Sequence, residues 1–599
     1  MGVPSFFAWW VKHYATRILS NRLPVNTHGK YGDKIVLYLD FNGIIHPATR
    51  TDIAMPLEDM NAAVCKFFSD IVKAVSPDEI YIAIDGVAPF AKMDQQRDRR
   101  FKSAKESKIK KDIAIKHGQP TRTDNIDFNM ISPGTEFMYN LQAYLEAYIE
   151  DRRKRDWANI SVTLSGSGVP GEGEHKIMHE IRRRNLIPKY KETSCVCGLD
   201  ADLMFLSLLN APNAILVREN VFFQGRDKLD LNPVTYPYVY LNIGALRSIM
   251  LDTLRPSTTM EMLKDLDFTN TIGEFDGYYN TDHYNGSLEH DSRLIVDYTY
   301  ICFFLGNDFL PRLPCLKIKS GSLNDIIILY KRVSWNLRGY MINKDYTVNM
   351  PFFHEFLEEI AYIENELLMQ LSEQRYKDMS RFKFRLQHKT PYEKELEEFN
   401  YVENKYTDII QMGTPGWRIR YYNYHLKWVY RHDAEFERNL VPLCTEYLQG
   451  TIWVLQYYLG LHQNWSWIYP YSVAPSAQDL CHALKPDTDT EYMINLNISF
   501  KTDIPVTPYV QLLSILPPDS AELLPPALKS LMTDKDSPIH YLYPLKITLA
   551  LIGNKFWHEC KAWLPHVDQD MLCNIVSAKS KYLSPLEQSR NTCQEIKTW

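Results

Sequence analysis

Four short runs rich in aliphatic and β-branched residues follow one another in the first third of this chain. They are KIVLYLD, EIYIAID, ISVTLSGS and SCVCGLD. Each run ends in a polar or glycine-containing turn, and the stretch before the next run is long enough for a crossover helix. Strands that alternate with helices in this way form a mostly parallel sheet covered on both faces. We therefore predict an α/β fold for this part of the chain.

Acidic side chains stand where three of these runs end. Asp40 ends the first run, Asp85 ends the second, and Asp200 and Asp202 follow the fourth. The carboxyl ends of parallel strands meet at one edge of a sheet, and ligand crevices form there. A single Asp at a strand end is more often a turn or helix cap. Repetition over three strands is hard to obtain by capping alone, and it favours a shared site.

Three further acids lie in contexts that favour the same site. Glu172 and Glu174 stand in GVPGEGEHKIM, a glycine turn before a helix, and Asp308 closes a very apolar helix in FFLGNDFLP. Converging carboxylates repel one another unless cations compensate their charge. Oxygen ligands without His or Cys suit Mg²⁺ or Mn²⁺, and two such ions about 4 Å apart serve phosphodiester hydrolysis. The predicted ligands and catalytic residues are Asp40, Asp85, Glu172, Glu174, Asp200, Asp202 and Asp308.

A strongly basic segment follows Asp85. From Lys92 to Lys116 the chain has ten Lys or Arg against four acids. If the segment is helical, one face presents two guanidinium forks, an ammonium and an amide to a phosphate. That face consists of Lys92, Gln96, Arg99 and Arg100. A solvated charged helix is the alternative, but the position beside the carboxylates favours a grip on a polyanion. The net charge of -6 gives no such support, so the argument rests on this local cluster.

Several observations bear on where such a chain works. Its ten Cys form no regular framework, which predicts free thiols in a reducing compartment. No apolar run reaches the roughly 20 residues that a membrane-spanning helix needs. The N-terminus does not resemble a secretory signal. We expect a soluble protein with no membrane partner.

Composition divides the rest of the chain. Residues 355–411 are strongly charged and poor in glycine, which predicts a linker of exposed helices, whereas residues 412–599 are rich in aromatic residues and proline. A region so dense in Trp, Tyr and Pro usually docks onto a neighbour. We therefore predict a first domain over 1–354, a charged helical linker over 355–411, and a second, mixed region over 412–599 that packs against the first domain.

Long motifs in both regions resemble one family, the Xrn-type 5′-to-3′ exoribonucleases. Those similar to its first conserved region are MGVPSFFAWW, LYLDFNGIIHP, AIDGVAPFAKMDQQRDRRF, VPGEGEHKIM, GLDADLMFLSL and FLGNDFLPRLP. Those similar to its second are GWRIRYY, WVLQYYLGLHQNWSWIYPYSVAP, YVQLLSILPPDSAELLP and SPIHYLYPLKITLALIGNKFWHECKAWLPHVD. The resemblance spans nearly the whole chain, and we expect the family's C-terminal extension to be absent.

The resemblance implies a nuclease core of the PIN or flap-endonuclease type in the first domain. All seven acids match residues that bind the catalytic metals in this family, and Lys92, Gln96, Arg99 and Arg100 match its pocket for a terminal 5′-monophosphate. His46 matches the histidine that stacks on the first base. Trp557 matches the tryptophan that stacks from the other side, with Trp563 as the alternative.

The implied activity is processive 5′-to-3′ hydrolysis of single-stranded RNA with a 5′-monophosphate, which yields nucleoside 5′-monophosphates. The cofactor would be two Mg²⁺ ions, and the role would be RNA decay and mRNA turnover, with decapping or RNA-decay factors as partners. One alternative is a structure-specific 5′ flap nuclease on DNA, and another is a catalytically silent RNA-binding protein. We expect a cytoplasmic protein, with a nuclear location as the alternative.

Overall fold

A computed structural model gives the structure of the chain. It describes residues 6–24, 34–50, 55–121, 126–188, 190–220, 235–254, 288–429, 433–461, 464–485, 494, 496, 498 and 500–599. Residues 1–5 of the motif MGVPSFFAWW and residues 462–463 of the motif WVLQYYLGLHQNWSWIYPYSVAP lie outside the described residues.

Eight strands of the described residues form one sheet, in the order β1-β7-β6-β5-β2-β3-β4-β10. The central strands β6, β5, β2, β3 and β4 are parallel, and β1, β7 and β10 pair antiparallel at the two edges. A separate two-stranded ribbon joins β8 and β9. The strands are β1 Leu19–Ser20, β2 Lys34–Asp40, β3 Glu79–Ala83, β4 Ser161–Ser165, β5 Glu192–Cys197, β6 Ile215–Glu219, β7 Tyr238–Asn242, β8 Thr548–Leu549, β9 Ala562–Trp563 and β10 Lys597–Thr598.

Helices cover both faces of the sheet and provide most of the regular secondary structure described in the second region. They are α1 Phe6–Ile18, α2 Asn42–Thr49, α3 Leu57–Val75, α4 Phe90–Lys116, α5 Glu136–Arg153, α6 Gly173–Asn185, α7 Asp202–Asn210, α8 Ile243–Leu254, α9 Leu288–Cys302, α10 Ser322–Leu337, α11 Met350–Leu386, α12 Pro391–Asn400, α13 Trp417–Leu426, α14 Asp433–Leu459, α15 Ala477–Ala483, α16 Pro508–Ile515, α17 Pro526–Thr533, α18 Gln569–Lys579 and α19 Pro585–Arg590. Among the described residues, no helix is both long and apolar enough to cross a membrane.

The central strands are buried on both faces, which explains their unbroken apolar composition. In β2, Val36 and Tyr38 pack into one hydrophobic cluster, whereas Leu37 and Leu39 pack into another on the opposite face. Successive side chains of a strand point to opposite faces, so both faces need apolar cover. The predicted α/β fold with a mostly parallel sheet is confirmed. The antiparallel edge strands were not predicted.

The second region packs against the first through α4, as predicted. Phe90, Met93 and Phe101 of α4 share a hydrophobic cluster with Tyr509 and Leu513 of α16. The buried guanidinium of Arg97 donates to the carbonyl oxygens of Ser514 and Leu542. Helix α4 therefore has one face in the core of the second region.

Residues 355–411 contain most of α11 and all of α12. Helix α11 begins at Met350, before the boundary at 354, and Phe356, Leu357 and Ile360 in its first half are buried. The outer face of α11 is exposed, for example at Tyr362. The division of the chain at 354 and 411 stays a proposal.

Candidate active site

The carboxyl edge of the sheet and the helices that begin there carry six of the seven predicted acids. Asp40 is the last residue of β2, and Asp85 follows β3 by two residues. Glu172 is the N-cap residue of α6, and Glu174 lies in its first turn. Asp200 lies between β5 and α7, and Asp202 is the first residue of α7. Asp308 lies beyond the end of α9, after a 3₁₀ turn over Phe303–Leu305.

A glycine allows α6 to begin directly against the strand ends. The backbone N–H of Gly173 donates to Oδ1 of Asp85 at 2.7 Å. A Cβ at position 173 would lie 2.7 Å from Oδ1 of Asp40 and 3.0 Å from the carbonyl oxygen of Ala83. Both distances are shorter than almost all real Cβ contacts, so a side chain here would require the Asp40 carboxylate to shift or α6 to move away from the sheet.

Lys92 provides a cation inside the group of acids. Its Nζ lies 2.6 Å from Oε2 of Glu172 and 2.8 Å from Oδ2 of Asp308. All three side chains are less than a tenth exposed. The buried ammonium therefore offsets part of the negative charge, and it connects α4 with the acids of α6 and of the loop after α9.

Burial and mutual repulsion raise the pKa of three further acids, namely Asp40, Glu174 and Asp202. Burial raises the pKa of Asp40 well above its usual range, and the charges of Asp85 and Asp200 add to this effect. Burial likewise raises the pKa of Glu174, with further contributions from Asp200 and Asp202. Burial and the charge of Asp308 raise the pKa of Asp202 to about 7. These carboxylates therefore share one electrostatic environment.

The residues fit a hard divalent cation by their chemistry. Oε2 of Glu174 and Oδ1 of Asp202 are buried and have no hydrogen-bond partner within the described part of the chain. Such oxygens are costly to bury unless a cation or proton compensates them. As placed, no three Asp, Glu, His or Cys side chains of the described residues form a set that could hold a metal ion. Lys92 instead takes two of the carboxylates as its partners.

The other three residues of the face predicted to bind phosphate lie one to two turns beyond Lys92 along α4. Arg99 is exposed, Arg100 is half-buried, and Oε1 of Gln96 is buried without a hydrogen-bond partner among the described residues. Burial lowers the pKa of Arg100 to about 9, and the charge of Arg99 adds to the effect. The segment forms a helix, which is the condition under which these four residues were expected to share one face. Of the four residues on this face, Lys92 is the one that the structure brings into direct contact with the acids.

His46 lies on α2, close enough to these arginines for their charges to lower its pKa. Burial lowers the pKa of His46 to about 3, and the charges of Arg50, Arg99 and Arg100 act in the same direction. The imidazole is therefore neutral near pH 7. A neutral ring beside cationic groups suits a position that faces a base rather than a phosphate.

The two candidate tryptophans differ in their surroundings. Trp557 is 8% exposed, with its ring centre 4.7 Å from that of Phe399 and 5.7 Å from Nζ of Lys105. Trp563 is half-buried, and Nζ of Lys427 lies 3.7 Å from its ring centre. The assignment of Trp557 as the base-stacking residue, with Trp563 as the alternative, stays a prediction.

Helix α14 of the second region also reaches the acids, which sequence reasoning missed. The hydroxyl of Tyr457 donates to Oε1 of Glu172 at 2.8 Å. Its ring stacks on His175 with the centres 3.8 Å apart and on Trp453 with the centres 5.0 Å apart. Tyr457 is one of several aromatic residues in WVLQYYLGL, and nothing local distinguishes it from a core residue.

Family models match both regions of the chain. Residues 1–220 match the model described as the XRN 5′-3′ exonuclease N-terminus. Residues 289–401 and 373–597 match the model described as the Xrn1 helical domain. Together the two models cover well over half of the sequence.

Individual relatives align with almost the entire chain. The 5′-3′ exoribonuclease 2 of Gallus gallus is 30% identical, over 99% of this chain and 71% of the relative. The 5′-3′ exoribonuclease 2 of Arabidopsis thaliana is 29% identical, over 99% of this chain and 68% of the relative. The 5′-3′ exoribonuclease 1 of Schizosaccharomyces pombe is also 29% identical, and there the chain covers 50% of the relative.

Proposed function

Because the chain belongs to the Xrn-type family of 5′-to-3′ exoribonucleases, we propose that it degrades single-stranded RNA from a 5′-monophosphate end. It would act processively, release nucleoside 5′-monophosphates, and serve in RNA decay and mRNA turnover. The proposed setting is the cytoplasm, with the nucleus as the alternative. Decapping or RNA-decay factors are the proposed protein partners.

The proposal rests on one observation. Helix α4 contributes residues both to the acidic cluster and to the proposed binding site for the RNA end. Lys92 is ion-paired with Glu172 and Asp308 at one point of the helix. Arg99 and Arg100 follow seven and eight residues later, which corresponds to about 10 Å along a helix axis. A rigid helix would thus hold the RNA end at a fixed short distance from the carboxylates, and this favours stepwise removal from one end.

The acids are the proposed holders of two Mg²⁺ ions, for which Mn²⁺ could substitute. These residues are Asp40, Asp85, Glu172, Glu174, Asp200, Asp202 and Asp308. When bound, such ions supply an activated water and neutralise charge on the leaving oxygen. The chain itself orients the carboxylates, because the amide of Gly173 fixes Asp85 and the hydroxyl of Tyr457 fixes Glu172.

Contacts to the RNA would be independent of sequence. Lys92, Gln96, Arg99 and Arg100 are proposed to bind the terminal phosphate, which carries no base information. The neutral ring of His46 is proposed to stack on the first base, with Trp557 or Trp563 on its other face. Each base offers a π-face for such stacking, worth roughly 1 to 3 kcal/mol, so the enzyme could advance along nearly any unstructured RNA.

A degradation assay tests the proposal. The full-length protein is incubated with Mg²⁺ and one RNA that carries a 5′-monophosphate, a 5′-hydroxyl or a cap. We expect loss of the monophosphorylated RNA alone, with mononucleotides as the product. EDTA and Asp202→Asn should each abolish this activity. The matched control is Asp70→Asn, which removes a carboxylate that is 51% exposed on α3 and should leave the rate unchanged.

Other outcomes would contradict specific parts of the proposal. Equal rates on the three RNA ends would exclude selection of the 5′-phosphate, and full activity of Asp202→Asn would exclude its role in catalysis. Cleavage of a branched DNA at the flap, without attack on the RNA, would indicate a flap nuclease. Tight RNA binding without any degradation would indicate a silent binding protein.

A further inference from the structure

Arg50 lies at the carboxyl end of α2. It does not belong to α4, the helix that carries the proposed phosphate-binding residues, but it lies close to that helix. Its backbone N–H donates to the carbonyl oxygen of His46 at 3.0 Å, so the last turn of α2 fixes its position. Its guanidinium carbon lies 5.2 Å from the centre of the Phe128 ring. Nη1 of Arg100 lies 3.4 Å from the carbonyl oxygen of Asn129, the next residue. Guanidinium groups from two helices thus converge on the same 3₁₀ turn, Phe128–Met130.

Positive charge exceeds negative charge at this place. Although Arg50 is exposed to solvent, desolvation by the atoms packed around its guanidinium group lowers its pKa, and the charge of Arg99 adds to the effect. Both Arg50 and Arg99 act on Arg100 in the same direction. Asp127 is the carboxylate that opposes them, with one oxygen already accepting the N–H of Asn129 at 2.9 Å. Among the described residues of this group, three guanidinium groups therefore repel one another electrostatically, and one carboxylate opposes them.

A terminal phosphate would supply the negative charge that balances this excess of guanidinium groups. A phosphate monoester carries a charge of about -1.5 to -2 at pH 7, whereas each phosphodiester of an RNA backbone carries a single negative charge. Guanidinium groups bind phosphate oxygens through paired hydrogen bonds, and several arginines can share the three oxygens of a terminal phosphate. An additional arginine at this point would therefore favour the end of the RNA over its backbone.

We propose that Arg50 is a third guanidinium ligand of the terminal 5′-phosphate and a determinant of selectivity for the phosphorylated end. This inference rests on the proposed function, because it takes Arg99 and Arg100 as residues that meet the RNA end. Helix α2 then contributes twice to recognition, through the ring of His46 and through the charge of Arg50 one turn later. The two helices α2 and α4 would enclose the first nucleotide between them.

Binding measurements in EDTA test Arg50 apart from catalysis. The dissociation constants of two labelled RNAs, identical except for a 5′-monophosphate or a 5′-hydroxyl, are measured by fluorescence anisotropy. Arg50→Ala should weaken binding of the phosphorylated RNA about tenfold, the usual cost of losing a charge-assisted hydrogen bond. Binding of the hydroxyl RNA should stay unchanged. Arg50→Lys keeps the charge without the fork, so we expect an intermediate loss.

A control variant and a kinetic measurement complete the test. Arg381→Ala removes a guanidinium whose side chain is 77% exposed on α11, and it should bind both RNAs as the wild type does. With Mg²⁺ present, Arg50→Ala should raise KM for the phosphorylated RNA and leave kcat unchanged. Melting curves of all variants should coincide with that of the wild type, because Arg50 is exposed.

The outcomes separate this inference from the proposed function. If the wild type prefers the phosphorylated RNA and Arg50→Ala keeps that preference, the inference on Arg50 is wrong and the proposed function stands. The inference on Arg50 is also wrong, and the proposed function again stands, if Arg50→Ala weakens the binding of both RNAs equally. Arg50 would then contact the RNA backbone in general. If the wild type binds both RNAs equally, the phosphate site itself is refuted, and the inference with it.

Discussion

At the scale of single residues, the acids illustrate both the reach and the limit of sequence reasoning. Asp40, Asp85 and Asp202 were found because each follows an apolar run whose local pattern predicts a buried strand. Arg50 was not found, because one arginine at a helix end has no distinguishing local pattern. Its importance depends on how α2 lies against α4 and the turn at Phe128, which is a tertiary relation.

Burial of Asp202 predicts a dependence of stability on pH in the metal-free protein. Its folded-state pKa of about 7 exceeds the usual value of 3.8, so the folded state binds more protons between those values. Stability should therefore fall as the pH rises from about 4 to about 7, by roughly 1.4 kcal/mol per unit of pKa shift at most. Asp202→Asn removes this contribution and should flatten the curve.

Thermal melts in EDTA between pH 5 and pH 8 measure this effect. Asp297 and Glu364 are buried carboxyls whose pKa burial also raises to about 7, so both proteins keep some slope of the same sign. The informative quantity is the difference in slope between wild type and Asp202→Asn. Identical slopes would show that Asp202 has an ordinary pKa in the folded protein.

At the scale of elements, the central strands were predictable, whereas the contact between α6 and α14 was not. The strands are recognised from periodicity and composition within a single stretch, and the basic segment shows a shared face once it is taken as a helix. Tyr457 and Glu172 are 285 residues apart in the chain. Only the docking of the two regions brings them together, and no pattern in either stretch records that docking.

Tyr457→Phe tests whether α14 positions Glu172. The ring stack on His175 would remain, but Glu172 would lose one hydrogen bond from its carboxylate. Loss of a partner that orients a metal-binding carboxylate typically costs 10- to 100-fold in affinity or activity. We expect the half-saturating Mg²⁺ concentration to rise about tenfold, or the single-turnover rate to fall by a similar factor.

The control for Tyr457 is Tyr469→Phe. It also removes a buried hydroxyl, but one that donates to the carbonyl oxygen of Val473, a neutral acceptor. Both variants should lose a similar amount of thermal stability. If Tyr469→Phe changes the Mg²⁺ dependence as much as Tyr457→Phe does, the hydroxyl of Tyr457 has no special effect on the acids.

At the scale of the whole molecule, the first region depends on the second because residues of the second region cover α4. The backbone N–H of Phe90 donates to the carbonyl oxygen of Trp465, and that of Ala88 donates to Oε1 of Gln511. Arg97 is 1% exposed beneath Ser514 and Leu542. Residues beyond 412 therefore hold the apolar face and the first turn of α4, the helix that carries the proposed phosphate-binding residues.

A fragment that ends at residue 354 should therefore not fold independently. It would expose Phe90, Met93 and Phe101 and leave the Arg97 guanidinium without its acceptors. We expect dye binding to exposed apolar surface, no cooperative melting transition by circular dichroism, and no nuclease activity. The full-length protein, measured in parallel, should melt cooperatively. A cooperative transition of the fragment would show that the first domain is autonomous.

The pairing of β10 with β4 has a consequence for the order of events during synthesis. Thr163 and Thr598 are 435 residues apart, yet they lie side by side at one edge of the nuclease sheet. Until the ribosome has made β10, the N–H and C=O groups along that side of β4 face open solution, where unpaired edges invite association between chains. A nascent chain would therefore benefit from a chaperone that shields this edge until β10 has been synthesised.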